Sequence, residues 1–453
     1  MQKSAPRHRD GGVERDYTTR TKKSYRMYLD ASKIMPGGQS HNSRFFSPYP
    51  FYVNKARGKY IWDVDGNRYT DYWMGHTALI FGHSPSFVVK ALKKQVSNGL
   101  LYGAPNRHAY ELARLVSETV PSAESVRFCT TGAEATMYAV RLARGYTKRK
   151  TIVKITGGWH GYNSSLTIGV SAPYDIPESS GLVSDYDRFV RLASFNNVEQ
   201  TRQIMAENPE DIAAVIIEPV MGAGGVLPAE KEYLEFLRSE CSRIGALLIF
   251  DEIITGFRLS LGGAQEYYGV IPDITTLGKI LGGGLPVSAI VGKSEILELA
   301  NANTHGAKTE RVWIGGGTFS ENALCMCAGI ATVSNLIETR RETYKRLGKF
   351  GERLRNSVDK AFSEHGYRTS TTGAGSLFAT HFLTESQKKI SSPEDVNVSD
   401  RATEKEYYLS LIAKHGIYFI PGHIGAVSTV HSASDIDKLI SASLDFAKRK
   451  DAK

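Results

Sequence analysis

The segment Ile271-Pro-Asp-Ile-Thr-Thr-Leu-Gly-Lys-Ile-Leu-Gly-Gly-Gly-Leu-Pro-Val287 decides how the chain folds and where its chemistry sits. One lysine, Lys279, stands in an apolar run, with Gly282, Gly283 and Gly284 after it and Pro286 closing the segment. Desolvation in such a run disfavours the ammonium form and lowers the amine pKa. Glycines let the backbone approach a bound group where a side chain would block it. A lysine that is neutral near pH 7 can attack a carbonyl and form a Schiff base. Taken alone, the run also suits a solvated lysine beside a glycine turn. It is not a Walker A loop, in which glycines precede the lysine and Ser or Thr follows; here Ile280 follows.

Outward from this run, short β-rich stretches alternate with helical ones from about residue 84. Residues 125–129, 151–155, 213–217 and 246–250 read as strands, with 274–277 and 288–291 as weaker ones. Helices over 134–146 and 231–244 fall between some of them. The alternation predicts an α/β fold, a mostly parallel central sheet with helices on both faces. Upstream lie a short helix over 24–36, ending at Pro36-Gly37-Gly38, and a hairpin over 60–69 turning at Asp65-Gly66-Asn67. Downstream, 336–364 reads as a long amphipathic helix. Strands over 373–382 and 417–430, a surface loop over 384–400 and a closing helix over 434–448 complete a smaller α+β unit. The expected division is a disordered basic tail (1–26), an N-terminal segment of the small domain (27–75), a large α/β domain (76–335) and a C-terminal small domain (336–453).

The 453 residues are 41% hydrophobic and 23% charged, a normal balance for a soluble globular protein. No apolar run reaches the ~20 residues of a membrane helix, and the polar N-terminus is not a secretory signal. Of the net charge of +9, more than half sits in the first 26 residues, which hold eight Lys/Arg against three Asp/Glu. No basic stripe interleaved with aromatics occurs elsewhere, so neither nucleic acid nor membrane is an expected partner. The cysteines Cys129, Cys241, Cys325 and Cys327 have no CxxC spacing. Packed free thiols in a reducing, cytoplasmic compartment are expected, and no metal site.

Ligands of open α/β sheets bind beyond the carboxyl ends of the strands. Four features stand there. Asp251-Glu252 follows an apolar strand; Asp251 either caps or pairs locally, or keeps a heteroaromatic nitrogen protonated, a demand of pyridoxal phosphate (PLP) chemistry. Thr131-Gly132-Ala133 opens a helix whose free N–H groups favour an anion, although Thr131 also suits an ordinary N-cap. Gly157-Gly-Trp-His-Gly161 offers Trp159 and His160 beside an aromatic ligand, or forms a packed loop. Glu218 either reaches the same crevice or fixes a neighbouring loop.

Together these pieces resemble the class III aminotransferases, PLP enzymes of fold type I, and especially the glutamate-1-semialdehyde aminomutase and β-amino-acid aminotransferase branches. The resemblance runs from about Met35 to the C-terminus. It rests on Thr131-Gly-Ala-Glu-Ala-Thr-Met137, Arg141-Leu-Ala-Arg-Gly-Tyr146, Asp251-Glu-Ile-Ile-Thr-Gly-Phe-Arg258, Pro272-Asp-Ile-Thr-Thr-Leu-Gly-Lys279 and Gly317-Thr318-Phe-Ser. It implies Lys279 as Schiff-base lysine and proton shuttle, and Asp251 as partner of the pyridinium nitrogen. Thr131, Gly132 and Ala133 would hold the phosphate. Trp159 and Ile253 would cover the two ring faces, with His160 and Glu218 close by. Thr318 would reach the phosphate of a neighbouring subunit in a homodimer. Arg44, otherwise a surface residue, would hold a substrate carboxylate with its bidentate fork.

The resemblance leaves three reactions open. Aminomutases carry Asn where this chain has Ala223, and a Glu that is lacking in 422–428. Other class III enzymes carry Gln where Ile254 stands, and β-amino-acid aminotransferases often a second arginine where this chain has Gly422-His423. The loop Met221-Gly-Ala-Gly-Gly225 and the segment Asn42-Ser-Arg-Phe-Phe-Ser-Pro-Tyr-Pro50 look more like the latter. Transfer of an amino group from a carboxylate-bearing amino acid to a keto acid is therefore the first expectation. Intramolecular transfer by an aminomutase is the second, and a PLP racemase the third.

Overall fold

The apolar runs become one sheet in the computed structural model, which describes residues 12–304 and 307–449. Its strands are β1 (Ser125–Cys129), β2 (Thr151–Ile155), β3 (Val190–Ala193), β4 (Ile212–Ile217), β5 (Leu247–Glu252), β6 (Ile274–Leu277) and β7 (Ser288–Gly292). They lie in the order β1-β7-β6-β5-β4-β2-β3. β7 runs antiparallel to both neighbours, and every other pair is parallel. The reversal at β7 leaves β1 pointing the same way as β6. The carboxyl ends of all strands but β7 therefore share one edge.

Every residue of β2, β4 and β5 is buried, as strands covered on both faces require. Alternate residues serve opposite layers. Ile152, Ile216 and Ile249 pack with Ala135, Ala139 and Leu142 of the helix Gly132–Thr147. Val153, Val215 and Leu248 pack with Leu234, Leu237 and Cys241 of the helix Lys231–Ile244. The second helix ends where Gly245 takes φ +71°, the left-handed stop that glycine adopts at least cost.

Segments from both ends of the chain share a second sheet. The strands Val53–Arg57, Tyr60–Asp63 and Arg68–Asp71 form antiparallel pairs, and Ile417–Tyr418 adds in parallel to the last. The region 417–430 is thus not one strand, since Gly425–Ala426 pairs instead with Leu377–Phe382.

Other expectations need correcting. Residues 323–363 form one helix of 41 residues, capped by Asn322, rather than a helix that begins at 336. Gly329, Gly348 and Gly351 lie within it, but no proline does. The described part of the basic tail is ordered: Gly12–Arg20 is helical, with Val13 and Tyr17 buried. Those two residues, four apart, share a helix face, and Tyr17 OH donates to the Tyr49 carbonyl at 2.7 Å. Residues 1–11 of that tail lie outside the described residues. The expected loop at 384–400 contains the helix Pro393–Asn397 and buries Gln387, Ile390 and Val396. Among the described residues no helix is long and apolar enough to cross a membrane, and no acidic, histidine or cysteine cluster could hold a metal ion.

Candidate active site

β6 ends at Leu277, and Lys279 follows with φ +46°, a left-handed backbone uncommon for a residue with a side chain. Its neighbours hold that turn in place. A Cβ on Gly278 would lie 2.9 Å from Ser288 Oγ and 3.0 Å from Ile253 Cδ1, and one on Gly283 would collide with Thr332 and the Ala328 carbonyl of the long helix. Only glycine lets these pieces meet. Burial pushes the Lys279 amine below the ordinary lysine range; Asp251 and Glu218 oppose that shift and Arg258 adds to it.

The next strand supplies the acid. Asp251 on β5 pairs in register with Thr276 on β6. Thr276 Oγ1 donates to Asp251 Oδ1 at 3.0 Å, and the Ile253 N–H donates to the same oxygen at 3.1 Å. Oδ2 meets His160 Nδ1 at 2.7 Å. Carboxyl and imidazole are both buried. His160 therefore does not cover a ligand ring. It lies against Asp251 and fixes the carboxylate, while Thr136 Oγ1 donates to the His160 carbonyl at 2.5 Å.

Glu218 fixes loops, the plainer of its two sequence readings. Its Oε1 accepts from the Trp159 N–H at 2.8 Å and its Oε2 from the Gly222 N–H at 3.0 Å. Burial raises its pKa; His160 opposes this, Asp251 adds to it, and the two N–H groups oppose it. Trp159 is half-buried, edge-on to Tyr162 with ring centroids 5.0 Å apart.

The helix Gly132–Thr147 begins in a capping box. Thr131 Oγ1 accepts from the Glu134 N–H, and Glu134 Oε2 accepts from the N–H groups of Thr130 and Thr131. Among the described residues, the N–H groups of Gly132 and Ala133 have no acceptor in the chain, so they face outward at the positive end of the helix dipole. Gly161 takes φ +81°, and a Cβ there would lie 2.6 Å from both Ala133 Cα and Cβ. The Trp159 loop thereby reaches the helix start. The Ile253 side chain sits beside Gly132, whose Cβ would lie 3.1 Å from it.

An amine with its proton weakened, a fixed buried carboxylate, an apolar side chain and two free N–H groups thus meet on one edge. The set matches the aldehyde, ring nitrogen, ring face and phosphate of PLP, and the residues fit that cofactor. Two expected residues stand apart from this centre. Thr318 is exposed beside Gly317, which abuts Glu134. Arg44 is exposed at the rim of a cavity of about 490 Å³ that Phe46, Tyr52, Trp73, His76 and Tyr418 also line.

The sequence reading missed two supports. Lys154, fully buried, donates to the carbonyls of Gly158 at 2.8 Å and Gly169 at 3.1 Å, under the Trp159 loop. Burial pushes its pKa down to about 7. Its signal was a lone lysine inside the apolar strand Thr151-Ile-Val-Lys-Ile155. Arg258, also buried, donates to the carbonyls of Thr77 and Val427. It closes the motif that starts at Asp251.

Known proteins resemble this chain along most of its length. A family model described as aminotransferase class-III matches residues 42–442. A protein named glutamate-1-semialdehyde 2,1-aminomutase, from Thermodesulfovibrio yellowstonii, is 38% identical over 442 residues, 95% of this chain and 100% of that one. Among solved structures, a β-phenylalanine aminotransferase from Variovorax paradoxus superposes with a TM-score of 0.88 at 29% identity, over 97% of each chain. A transaminase with PLP bound gives 0.86 at 31% identity, over 95% of this chain and 98% of that one. A family model matching residues 42–442 and a relative 38% identical over 95% of the chain place this chain in the class III aminotransferase family, whose cofactor is pyridoxal 5'-phosphate.

Proposed function

We propose that this chain moves the amino group of a carboxylate-bearing amino acid, with PLP joined to Lys279 Nζ. PLP, when bound, supplies an electron sink for charge developing at the amino-bearing carbon. The Asp251 carboxylate, held by Thr276, Ile253 and His160, accepts from the ring nitrogen and keeps it protonated. The free N–H groups of Gly132 and Ala133 take the phosphate at the helix start. Ile253 and Trp159 cover the ring faces. Lys279 Nζ, whose hold on its proton burial weakens, takes up and returns a proton at the amino-bearing carbon. Arg44 binds the substrate carboxylate, and Thr318 of a second copy completes the phosphate site. The four cysteines are free, which fits a reducing compartment such as the cytoplasm. The observation that carries the proposal is Lys279, in its left-handed turn, at the strand end next to the strand that bears Asp251.

The name of the relative aligned along its whole length favours transfer within one molecule, as in the aminomutases, over the intermolecular transfer expected first from the sequence. Transfer within one molecule is therefore the leading reading. Intermolecular transfer is the second reading. The loop Met221-Gly-Ala-Gly-Gly225, over which Ile254 packs at Gly222, looks more like that of the β-amino-acid aminotransferases. The superposition on a β-phenylalanine aminotransferase points the same way. Incubation of the holoenzyme with glutamate-1-semialdehyde and no amino donor separates them. Stoichiometric 5-aminolevulinate supports the first reading. Its absence, with glutamate formed from a β-amino acid and 2-oxoglutarate, supports the second. No amino transfer from either would overturn both.

A further inference from the structure

Four consecutive residues have left-handed backbones: Met74 (φ +47°), Gly75 (+60°), His76 (+58°) and Thr77 (+67°). Such a run persists only where its surroundings over-determine it. Asp71 Oδ1 accepts from the N–H groups of Trp73 at 2.7 Å and Met74 at 3.0 Å, and the buried Arg258 donates to the Thr77 carbonyl. The result sets the His76 ring in the wall of the cavity rimmed by Arg44. The ring is 4.5 Å from Trp73 and 4.8 Å from His41, centroid to centroid.

His76 Nε2 is buried and has no hydrogen-bond partner among the described residues. Unpartnered buried polar atoms are rare in folded chains, and a strained segment that sustains one points to a ligand. The surroundings say which. Burial, followed by the charges of His41, Arg44, Lys279 and His423, pushes the His76 pKa down to about 3. The imidazole is therefore neutral at pH 7 and can carry its proton on Nε2 as a donor. The four side chains that add to the shift are all basic. The nearby carboxylate, Asp71, is already committed to His83 at 2.7 Å and to backbone N–H groups. An anionic oxygen completes this arrangement; a cation would meet repulsion.

We propose that His76 is a specificity residue whose Nε2–H donates to the substrate carboxylate in the cavity that Arg44 rims. The inference rests on the site being that of a carboxylate-bearing amino acid.

The test compares wild-type holoenzyme with H76F, H76G and H76N. H76F keeps the ring shape, H76G suits the left-handed backbone, and H76N keeps a donor and tolerates that backbone. The substrates come in pairs with and without a carboxylate: 3-amino-3-phenylpropanoate with 1-phenylethylamine, and 5-aminolevulinate with 1-aminobutan-2-one. The readout is the ratio of kcat/KM within a pair, from the single-turnover change in cofactor absorbance. H76F and H76G are expected to lower the ratio about 10- to 100-fold, mainly through KM, the cost of losing a hydrogen bond to a charged group. H76N is expected to recover part of it. An unchanged ratio in a folded H76G or H76F variant overturns the assignment. So does an equal loss on both members of a pair, which marks a structural role only. Failure of the wild type to react with either carboxylate is a different outcome, which refutes the proposed function and this inference with it.

Discussion

Replacing His160 by Phe tests how the site holds its acid. Phenylalanine fills the ring volume but removes Nδ1, which lies 2.7 Å from Asp251 Oδ2 between two buried groups. A hydrogen bond to a charged group contributes about 1.5–3 kcal/mol. Thr276 and the Ile253 N–H still hold the other oxygen, so the lower half of that range applies. About 1.5–2 kcal/mol corresponds to a roughly 10- to 30-fold weaker hold on the cofactor. Stability of the cofactor-free chain should change less, because the same substitution removes Nε2, a buried nitrogen without a partner, and the two effects oppose each other. The assay is titration of cofactor-free H160F with PLP, followed by visible absorbance, beside a thermal melt of each protein. Binding within twofold of wild type, with an unchanged melt, would show that the imidazole does not position Asp251.

Gly161→Ala places a Cβ 2.6 Å from two atoms of Ala133 on a backbone at φ +81°. It should cost about 1–3 kcal/mol in a urea melt and weaken PLP binding, because the Trp159 loop must retreat from the helix start; wild-type values would contradict the close approach. Lys154→Met tests linkage. The folded lysine, with its pKa down to about 7, releases a proton that the unfolded chain keeps to about pH 10. The unfolded state then binds more protons, and wild-type stability rises with pH in that window. The melting-temperature difference, wild type minus K154M, should therefore grow between about pH 7 and pH 9.5; a constant difference refutes the shift. Arg44→Ala should raise KM for a carboxylate substrate roughly 10- to 100-fold with little change in PLP affinity, and an unchanged KM removes Arg44 from the site.

The strands that carry the chemistry were legible because their residues are buried on both faces and end in a polar group. β4 and β5 show the pattern most clearly, closing at Glu218 and in Asp251-Glu252. β3 was missed: it is an edge strand, half-buried and carrying Arg191, so it shows neither an apolar run nor alternation. The ordered helix Gly12–Arg20 hid behind its charge, since Val13 and Tyr17 are its only buried residues. Of the candidate site, local composition singled out Lys279, Asp251 and the Gly132 turn, and the family resemblance supplied the roles expected of them. The role of His160 could not, because its partner lies 91 residues away. Nor could that of His76, whose conformation is set by Asp71 and by Arg258 from a distant segment. Local sequence shows which groups are chemically able; tertiary contacts decide which atom each one faces.

The proposed chemistry rests on a covalent link between PLP and Lys279. Borohydride reduction of the PLP-loaded protein, followed by peptide mass spectrometry, reads it directly. One pyridoxyl-modified peptide, containing Lys279, is expected, and none in Lys279→Ala. Modification at Lys154, whose pKa is also lowered, or at no lysine, would contradict it.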